Sequence, residues 1–323
     1  MERIDFIRNL AFFTAGGTLL PDYLLAGASP EQHPSTLKNI GVQLFSLPSS
    51  LENDFKGTIS LLANMGFREI ELFGPYPYSA KSAKQRWKTL MPKLGFSGSG
   101  YFGHTEEDIK NICKESGLTI PSIHTDLDTL QHKMKDLGRA GEHLGFHYVV
   151  LPAIPGEYRK TLEDYRKMAD TFNSIGRQAK EVGLKFAYHN HGYGLHEVNG
   201  EIPLQLMLDN TDPDLVFLEI DLFWTIAGGA DPVMYLEKYH NRYHLMHVKD
   251  MKKIQTFSGD GGDDSQWIPL FPNMTSAGSG VIDLETIIPT AQQHGVRHFF
   301  VEQDLVKDPD VALKKSFDYL SSL

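Results

Sequence analysis

Short apolar segments alternate with longer helical patterns from residue 39 onward, and this order restricts the fold more than any other feature of the chain. Eight of these segments are predicted as β-strands: Ile40–Phe45, Glu69–Phe73, Thr119–His124, Tyr148–Leu151, Lys185–His189, Val216–Asp221, Tyr243–Val248 and Phe299–Glu302. Apolar spacings of three and four predict helices between them, among others over Leu51–Met65, Leu127–Leu144 and Thr161–Val182. Eight strands that alternate with helices predict an α/β fold, a single (β/α)8 TIM barrel over residues 39–323.

An open, doubly wound sheet is the alternative fold, because the alternation of strands and helices does not by itself separate the two. No Gly-x-Gly-x-x-Gly motif follows the first predicted strand, which disfavours the dinucleotide-binding form of the open sheet. Two long connections, Gly74–Gly103 and Met251–Gly280, each follow a predicted strand. In a barrel both would therefore lie on the face that carries chemistry.

Composition limits the kinds of partner and metal site. The chain has 31 basic and 41 acidic residues, a formal net charge of −10, and no basic cluster, which argues against binding to a nucleic acid backbone. Its single cysteine, Cys113, provides neither a disulfide framework nor a thiolate metal site. A metal ion in this protein would therefore be held by His, Asp and Glu.

The first thirty residues differ from the rest. Arg3 and Arg8 flank a short polar head, an apolar run extends to Leu20, and Ala26-Gly27-Ala28 forms a small-x-small cleavage site. This order is typical of a bacterial export signal, so residues 1–28 are predicted as a signal peptide and residues 29–38 as a linker. The prediction implies a periplasmic protein, exported by the Sec route or with a degenerate twin-arginine signal. An N-terminal amphipathic helix packed on the domain is the alternative.

Metal-competent or ionisable side chains stand at the ends of five predicted strands. In each strand two such residues are separated by one position: His124 and Asp126, His189 and His191, Glu219 and Asp221, His247 and Lys249, Glu302 and Asp304. Because side chains alternate between the faces of a strand, the members of a pair share one side, which in a barrel can face the mouth. Imidazoles and carboxylates from adjacent strands predict a site for a divalent ion such as Zn, Mn or Co. Hydrogen-bonded core residues are the alternative.

Four of these strand ends carry the motifs of a known family. They read Tyr188-His189-Asn190-His191, Glu219-Ile220-Asp221, His247-Val248-Lys249-Asp250 and Val301-Glu302-Gln303-Asp304. With them the chain resembles the xylose isomerase-like TIM barrel family, whose members are broadly described as sugar phosphate isomerases/epimerases. The resemblance covers Ile40 to about Asp304. It implies one divalent metal ion (Mn, Zn, Co or Mg) with the ligands His189, Asp221, His247 and Glu302, where ketose epimerases of the family have glutamate at the position of His189.

The resemblance also implies an activity. Isomerases and epimerases of this kind remove a proton from the carbon beside a carbonyl of a sugar, while the metal stabilises the negative charge that develops. The candidate bases are Glu302, His191 and His124, and Lys249 would neutralise or protonate the developing oxyanion.

Three further residues are candidates for substrate binding. Glu71 is predicted to bind sugar hydroxyls, and Trp224 and Phe73 are predicted to stack on a sugar ring. Structural pairing of Glu71 and core packing of the two aromatic side chains are the alternatives.

Several other functions fit the same strand ends. A 3-keto-glycoside lyase or a dehydratase would use the same proton abstraction and then expel a β-oxygen, and the imidazole of His189 in place of a carboxylate favours such one-sided chemistry. A non-catalytic carbohydrate-binding barrel is a more remote alternative. An endonuclease IV-like repair enzyme would need more metal-binding histidines and a basic surface. We therefore expect a small carbohydrate substrate and neither nucleic acid nor a membrane as partner of the mature protein, while the sequence leaves oligomerisation open.

Overall fold

Eight parallel strands close into a barrel in the computed structural model, which describes Leu37 and residues 39–323. Around the barrel the order is β1-β10-β7-β6-β5-β4-β3-β2, and the short strands β8 and β9 pair with each other outside it. In chain order the strands are β1 (Ile40–Gln43), β2 (Glu69–Phe73), β3 (Thr119–His124), β4 (Tyr148–Leu151), β5 (Lys185–His189), β6 (Val216–Asp221), β7 (Tyr243–Val248), β8 (Asp250–Met251), β9 (Met274–Thr275) and β10 (His298–Val301). The predicted single (β/α)8 barrel is confirmed. The predicted signal peptide and, except for Leu37, the predicted linker lie outside the described residues.

Helices surround the barrel and join its strands. They are α1 (Pro48–Asn53), α2 (Phe55–Met65), α3 (Lys81–Leu94), α4 (Glu106–Ser116), α5 (Leu127–His132), α6 (Met134–Leu144), α7 (Leu162–Glu181), α8 (Pro203–Asp209), α9 (Leu222–Ala227), α10 (Pro232–Lys238), α11 (Asp264–Trp267), α12 (Leu284–Gln293) and α13 (Pro309–Leu320). In the part of the chain that the structure describes, no helix combines the length and the apolar character that crossing a membrane requires.

Three predicted elements end at least two residues early or break inside the predicted range. The first strand stops at Gln43, whose side-chain oxygen accepts a hydrogen bond from the backbone of Phe45 and starts a 3-10 turn. The predicted helix Leu51–Met65 is divided at Asp54, whose carboxylate caps α2 by accepting from the backbone of Gly57. The predicted helix Leu127–Leu144 is divided at Lys133, between α5 and α6, where the backbone leaves the helical region. These local breaks are set by capping and backbone angles, which apolar periodicity does not report.

The interior of the barrel changes from apolar to polar along the strands. A lower layer of buried side chains fills it, with the partly buried Phe217 packed against them: Tyr148, Val150, Ala187, Leu245 and Phe300. Four polar side chains lie two positions further along four of these strands, on the same side: His189, Glu219, His247 and Glu302. The polar cluster therefore rests on a packed apolar layer at the carboxyl ends of the strands.

Gly41 leaves room for that apolar layer, and this predicts a loss of stability on substitution. A Cβ at Gly41 would lie 2.5 Å from a ring carbon of Phe300, which the closed barrel prevents from moving freely. We expect Gly41→Ala to lower the free energy of unfolding by about 1–3 kcal/mol, measured by urea denaturation. Gly156→Ala is the control, because the nearest atom to its Cβ would be 3.8 Å away. Equal stability of the two variants would contradict the packing argument.

Candidate active site and metal centre

A cavity of about 340 Å³ opens above the carboxyl ends of the barrel strands. Its polar floor comes from strand ends and the residues after them: Gln43, His124, Thr125, Asp126, His189, His191, His247, Lys249, Glu302 and Asp304. Its apolar lining includes Phe45, Phe73, Trp87, Leu90, Leu127, Leu151 and Pro152. Active sites of this fold lie on this face, since residues from several strand ends converge there.

Three imidazoles surround one carboxylate oxygen at the base of the cavity. Oε2 of Glu219 lies 2.7 Å from Nε2 of His124, 3.0 Å from Nδ1 of His189 and 3.4 Å from Nε2 of His247. All four side chains are buried. One residue from each of the neighbouring strands β5, β6 and β7 and one residue from β3 thus form a single imidazole–carboxylate cluster.

Glu71 lies beneath this cluster rather than on the cavity wall. Its Oε2 is 2.6 Å from Nε2 of His247 and 3.2 Å from Nε2 of His124, and it accepts a hydrogen bond from the Gln43 side chain at 2.8 Å. Burial alone would raise the pKa of the Glu71 carboxyl, but His124 and His247 outweigh burial and hold this pKa well below its usual range. Because Glu71 is fully buried and does not line the cavity, its position fits the orientation of two imidazoles and not the predicted direct contact with sugar hydroxyls.

The second polar group centres on the ammonium of Lys249. Its Nζ lies 2.7 Å from Oε2 of Glu302, 2.8 Å from Oδ2 of Asp304 and 3.2 Å from Oδ2 of Asp221. Glu302 also approaches Nδ1 of His247 at 2.6 Å, which joins this group to the imidazole cluster. The buried lysine therefore neutralises carboxylates from two barrel strand ends.

The charges in this group give neighbouring carboxyl groups different pKa values. Burial would raise the pKa of Glu302, but Lys249 and His247 lower it well below its usual range, so the group is ionised. Burial, reinforced by the charge of Glu302, raises the pKa of Asp304 to about 7. Burial would lower the pKa of the Lys249 ammonium, but Asp221, Asp304 and Glu302 raise it well above its usual value. The floor therefore presents an ionised carboxylate, a weaker acid and a fixed cation side by side.

His191 is held neutral in an aromatic environment. Its Nδ1–H donates to the backbone oxygen of Pro152, which leaves Nε2 as an acceptor. Burial, and then the charge of Lys249, lower its pKa to about 3. The ring packs 5.7 Å from Trp224 and 4.9 Å from Trp267. Trp224 is buried behind His191 and does not line the cavity, so its position fits packing and not the predicted stacking on a sugar, whereas Phe73 does line the cavity.

The donor set fits a divalent metal ion. Among the described residues there are two groups whose ligand atoms all lie within 4.8 Å of one another. One group is formed by His124, His189, Glu219 and His247, and the other by Asp221, His247 and Glu302. Oε1 of Glu219 and Oδ2 of Asp221 are buried and have no hydrogen-bond partner, although the Lys249 ammonium lies near the latter. Buried oxygens without partners are costly unless a ligand binds them.

The structure also brings together the four side chains predicted as ligands. Nε2 of His189 lies 3.6 Å and Nδ1 of His247 lies 3.9 Å from Oδ2 of Asp221, and His247 contacts Glu302 directly. Their role as ligands stays a prediction. Burial would lower the pKa of His247, but Glu219, Glu302 and Glu71 raise it well above its usual value, so metal binding to its nitrogen would release a proton.

Loss of His247 should therefore lower the amount of bound metal. His247 is the one residue common to both groups of ligand atoms, so we expect purified His247→Ala to contain much less divalent metal than the wild type in elemental analysis. His244→Ala is the matched control, because this buried histidine of the same strand lies outside both groups and bonds to Tyr148. Full metal content in His247→Ala would show that the ion is held elsewhere.

Two residues of the polar cluster, Glu219 and Asp304, were predicted at the strand ends but were given no role there. Glu219 and Asp304 are each two positions from a predicted ligand, so strand alternation places them on its side, and that signal was available. Glu219 contacts His124, and Asp304 contacts Lys249. Each contact joins residues that follow or end different strands, which the spacing along the chain does not reveal.

Comparisons with known proteins agree with this architecture. A family model described as the xylose isomerase-like TIM barrel matches residues 59–323. The inosose dehydratase of Clostridium perfringens is 27% identical over 267 residues, which cover 81% of this chain and 85% of that protein. A crystal structure of a sugar phosphate isomerase/epimerase from Parabacteroides distasonis gives a TM-score of 0.69 at 24% identity, over 90% of this chain and 96% of that one. The structure of the IOLI protein with a bound zinc atom gives 0.60 at 16% identity, over 88% and 95% of the two chains. These two structural likenesses show the fold alone.

Proposed function

This chain belongs to the xylose isomerase-like TIM barrel family, and we propose that it is a metal-dependent enzyme that removes a proton beside the carbonyl of a keto sugar or keto cyclitol. The family match confirms the resemblance inferred from the strand-end motifs. One observation carries the proposal: the imidazole–carboxylate cluster and the Glu302–Lys249–Asp304 group share the floor of one cavity. The similarity to inosose dehydratase supports a keto substrate.

The metal site would be formed by His189, Asp221, His247 and Glu302, with Glu219 next to it. A divalent ion held there would polarise the carbonyl oxygen of the substrate and stabilise the charge that develops on it. Imidazole and carboxylate donors together suit zinc, manganese or cobalt better than magnesium, which prefers oxygen ligands. The zinc atom of the similarly folded IOLI protein is consistent with this choice.

Glu302 is the base that the geometry supports best. It lines the cavity and is ionised, because Lys249 and His247 lower its pKa. A positioned general base of this kind contributes about 10²–10⁴-fold to a rate. Lys249 keeps its proton and would hold Glu302 and Asp304 beside the substrate.

Elimination is the outcome that this arrangement favours. Glu302 and Asp304 both contact Lys249 and therefore lie on one side of the cavity, while Asp126 already caps α5 through Thr129. Glu302 would take the proton from carbon, the electron pair would form the carbon–carbon double bond, and the β-oxygen would leave with a proton from Asp304. A base and an acid on the same side suit a dehydratase or a lyase.

Isomerisation or epimerisation is the second candidate, because it shares the first step. Glu302 could itself return the proton to the adjacent carbon in an isomerisation, whereas epimerisation needs a second proton carrier on the opposite face of the substrate. His191 lines the cavity after β5, three strands from β10 around the barrel, and its Nε2 is an available acceptor. This observation keeps the predicted sugar isomerase/epimerase function open beside elimination.

Product analysis separates the two candidates. Metal-loaded protein is incubated with an inosose and, separately, with a 3-keto-glucoside, and the ultraviolet absorbance of an α,β-unsaturated ketone is followed together with NMR of the products. Elimination predicts the unsaturated ketone with release of water or alcohol. A saturated isomer with no released fragment would instead support the isomerase/epimerase candidate.

A further inference from the structure

We propose that the substrate carries a flat apolar aglycone, bound against one wall of the cavity, so that the preferred substrates are aryl glycosides of keto sugars and not free or phosphorylated sugars. The wall is formed by four side chains that line the cavity, and we call it the aromatic wall: Phe45, Phe73, Trp87 and Leu90. This inference rests on the proposed function for its reaction, but it concerns the part of the cavity that binds and does not react.

The aromatic wall and the reactive groups come from different arcs of the barrel. Phe45 follows β1, Phe73 ends β2, and Trp87 and Leu90 project from α3, which follows β2. Lys249 and Glu302 follow β7 and β10. A substrate that touches both must therefore have a polar end above the floor and an apolar end at β1, β2 and α3.

The wall is held in place before any ligand binds. The indole N–H of Trp87 donates to the backbone oxygen of Ser97 at 2.8 Å, and its ring lies 6.0 Å from Phe73 and 5.7 Å from Phe96. Phe45 meets Phe73 edge to face at 5.2 Å. Because these rings are already ordered, little side-chain freedom would be lost on binding, which favours affinity. Yet Phe45, Trp87 and Leu90 are only half-buried, so apolar surface remains available.

A free sugar would use this cavity poorly. The volume of about 340 Å³ lies in the range of sites for drug-sized ligands, roughly 300–1,000 Å³. Hydroxyl groups placed against the aromatic wall would lose hydrogen bonds to water without replacement. An aromatic ring has no such cost and gains the burial of its apolar surface.

A phosphate group would also find few partners. Among the described residues that line the cavity, the lysine and arginine side chains are Lys249 and Arg86. Lys249 is already surrounded by three carboxylates, and Arg86 is an exposed residue of α3. A site for a phosphorylated sugar would be expected to present several converging donors.

The apolar aglycone also fits the proposed chemistry. In a 3-keto-glycoside, removal of the proton on carbon 2 forms the double bond between carbons 1 and 2. The bond from carbon 1 to the aglycone oxygen breaks, and the aglycone leaves as an alcohol or phenol after protonation by Asp304. The group that the aromatic wall recognises would thus be the leaving group.

The test uses ligands that cannot react. Binding of phenyl β-D-glucopyranoside, methyl β-D-glucopyranoside and glucose 6-phosphate to the full-length metal-loaded protein is measured by isothermal titration calorimetry. These compounds lack the ketone, so the result does not depend on whether the proposed reaction occurs. We expect the phenyl glucoside to bind about tenfold or more tightly than the methyl glucoside, a difference of about 1.4 kcal/mol.

Variants of α3 locate the preference. Trp87→Ala and Leu90→Ala should each reduce the ratio of phenyl to methyl affinity, while Gln85→Ala, an exposed position of the same helix outside the cavity lining, should keep it. Circular dichroism verifies the fold of each variant. The proposal is overturned by equal affinity for the two glucosides, by no binding of the phenyl glucoside at millimolar concentration, by tighter binding of glucose 6-phosphate, or by an unchanged ratio in both wall variants.

Discussion

Replacement of Glu302 by glutamine is expected to lower kcat/KM on a keto substrate by about 10²–10⁴-fold, measured by steady-state kinetics with metal-loaded protein. Glutamine keeps the shape of the side chain but cannot accept the proton from carbon. Because the lost group acts in the transition state, kcat and kcat/KM should fall together, with little change in substrate binding.

Glu285→Gln is the control for loss of one negative charge, since Glu285 is an exposed residue in the first turn of α12. It should keep wild-type turnover. If Glu302→Gln retained full turnover and full metal content, Glu302 would be neither the base nor a needed ligand.

The second large effect is expected on stability. Lys249→Met keeps most of the length of the side chain but leaves Asp221, Glu302 and Asp304 buried without their cation. Removing one partner of a buried ionic group costs about 3–5 kcal/mol, because uncompensated charge remains in a poorly solvated site. We expect a loss of this size in the free energy of unfolding, measured by denaturant titration in the presence of a chelator, together with a loss of activity.

A double variant shows whether unpaired charge is the cause. Adding Asp304→Asn to Lys249→Met removes one of the stranded carboxylates and should recover part of the lost stability. Lys252→Met is the surface control, because Lys252 is exposed and should be replaceable at little cost. Unchanged stability of Lys249→Met would mean that the three carboxylates do not need the ammonium.

The fold was largely predictable because strand alternation is a local property. Six of the eight predicted strands, including Lys185–His189 and Val216–Asp221, have the observed bounds, and the closed barrel follows their number and order. The division of a predicted helix at Asp54 was missed because one capping carboxylate decides it. Apolar periodicity therefore locates elements but not the backbone breaks inside them.

The sequence predicted the site residues at the strand ends, but not the side chains that the connections bring to them. His189, His191 and His247 were expected at the mouth from strand alternation and from family motifs, and the structure places them on the cavity lining. Trp87 lies in the long connection Gly74–Gly103, in which helix α3 brings its side chain to the cavity. Contacts of this kind depend on how a connection folds back over the barrel, which the spacing of residues does not encode.

Proton exchange tests the central claim most directly. Metal-loaded protein is incubated in D2O with an inosose or a 3-keto-glucoside that it is shown to bind, beside a sample without protein, and the carbon-bound protons are followed by NMR. Abstraction beside the carbonyl predicts that the signal of that proton disappears, by exchange or by elimination, with wild-type protein and not with Glu302→Gln. If wild-type protein binds the substrate but every carbon-bound proton persists as in the sample without protein, the barrel binds carbohydrate without catalysing this reaction.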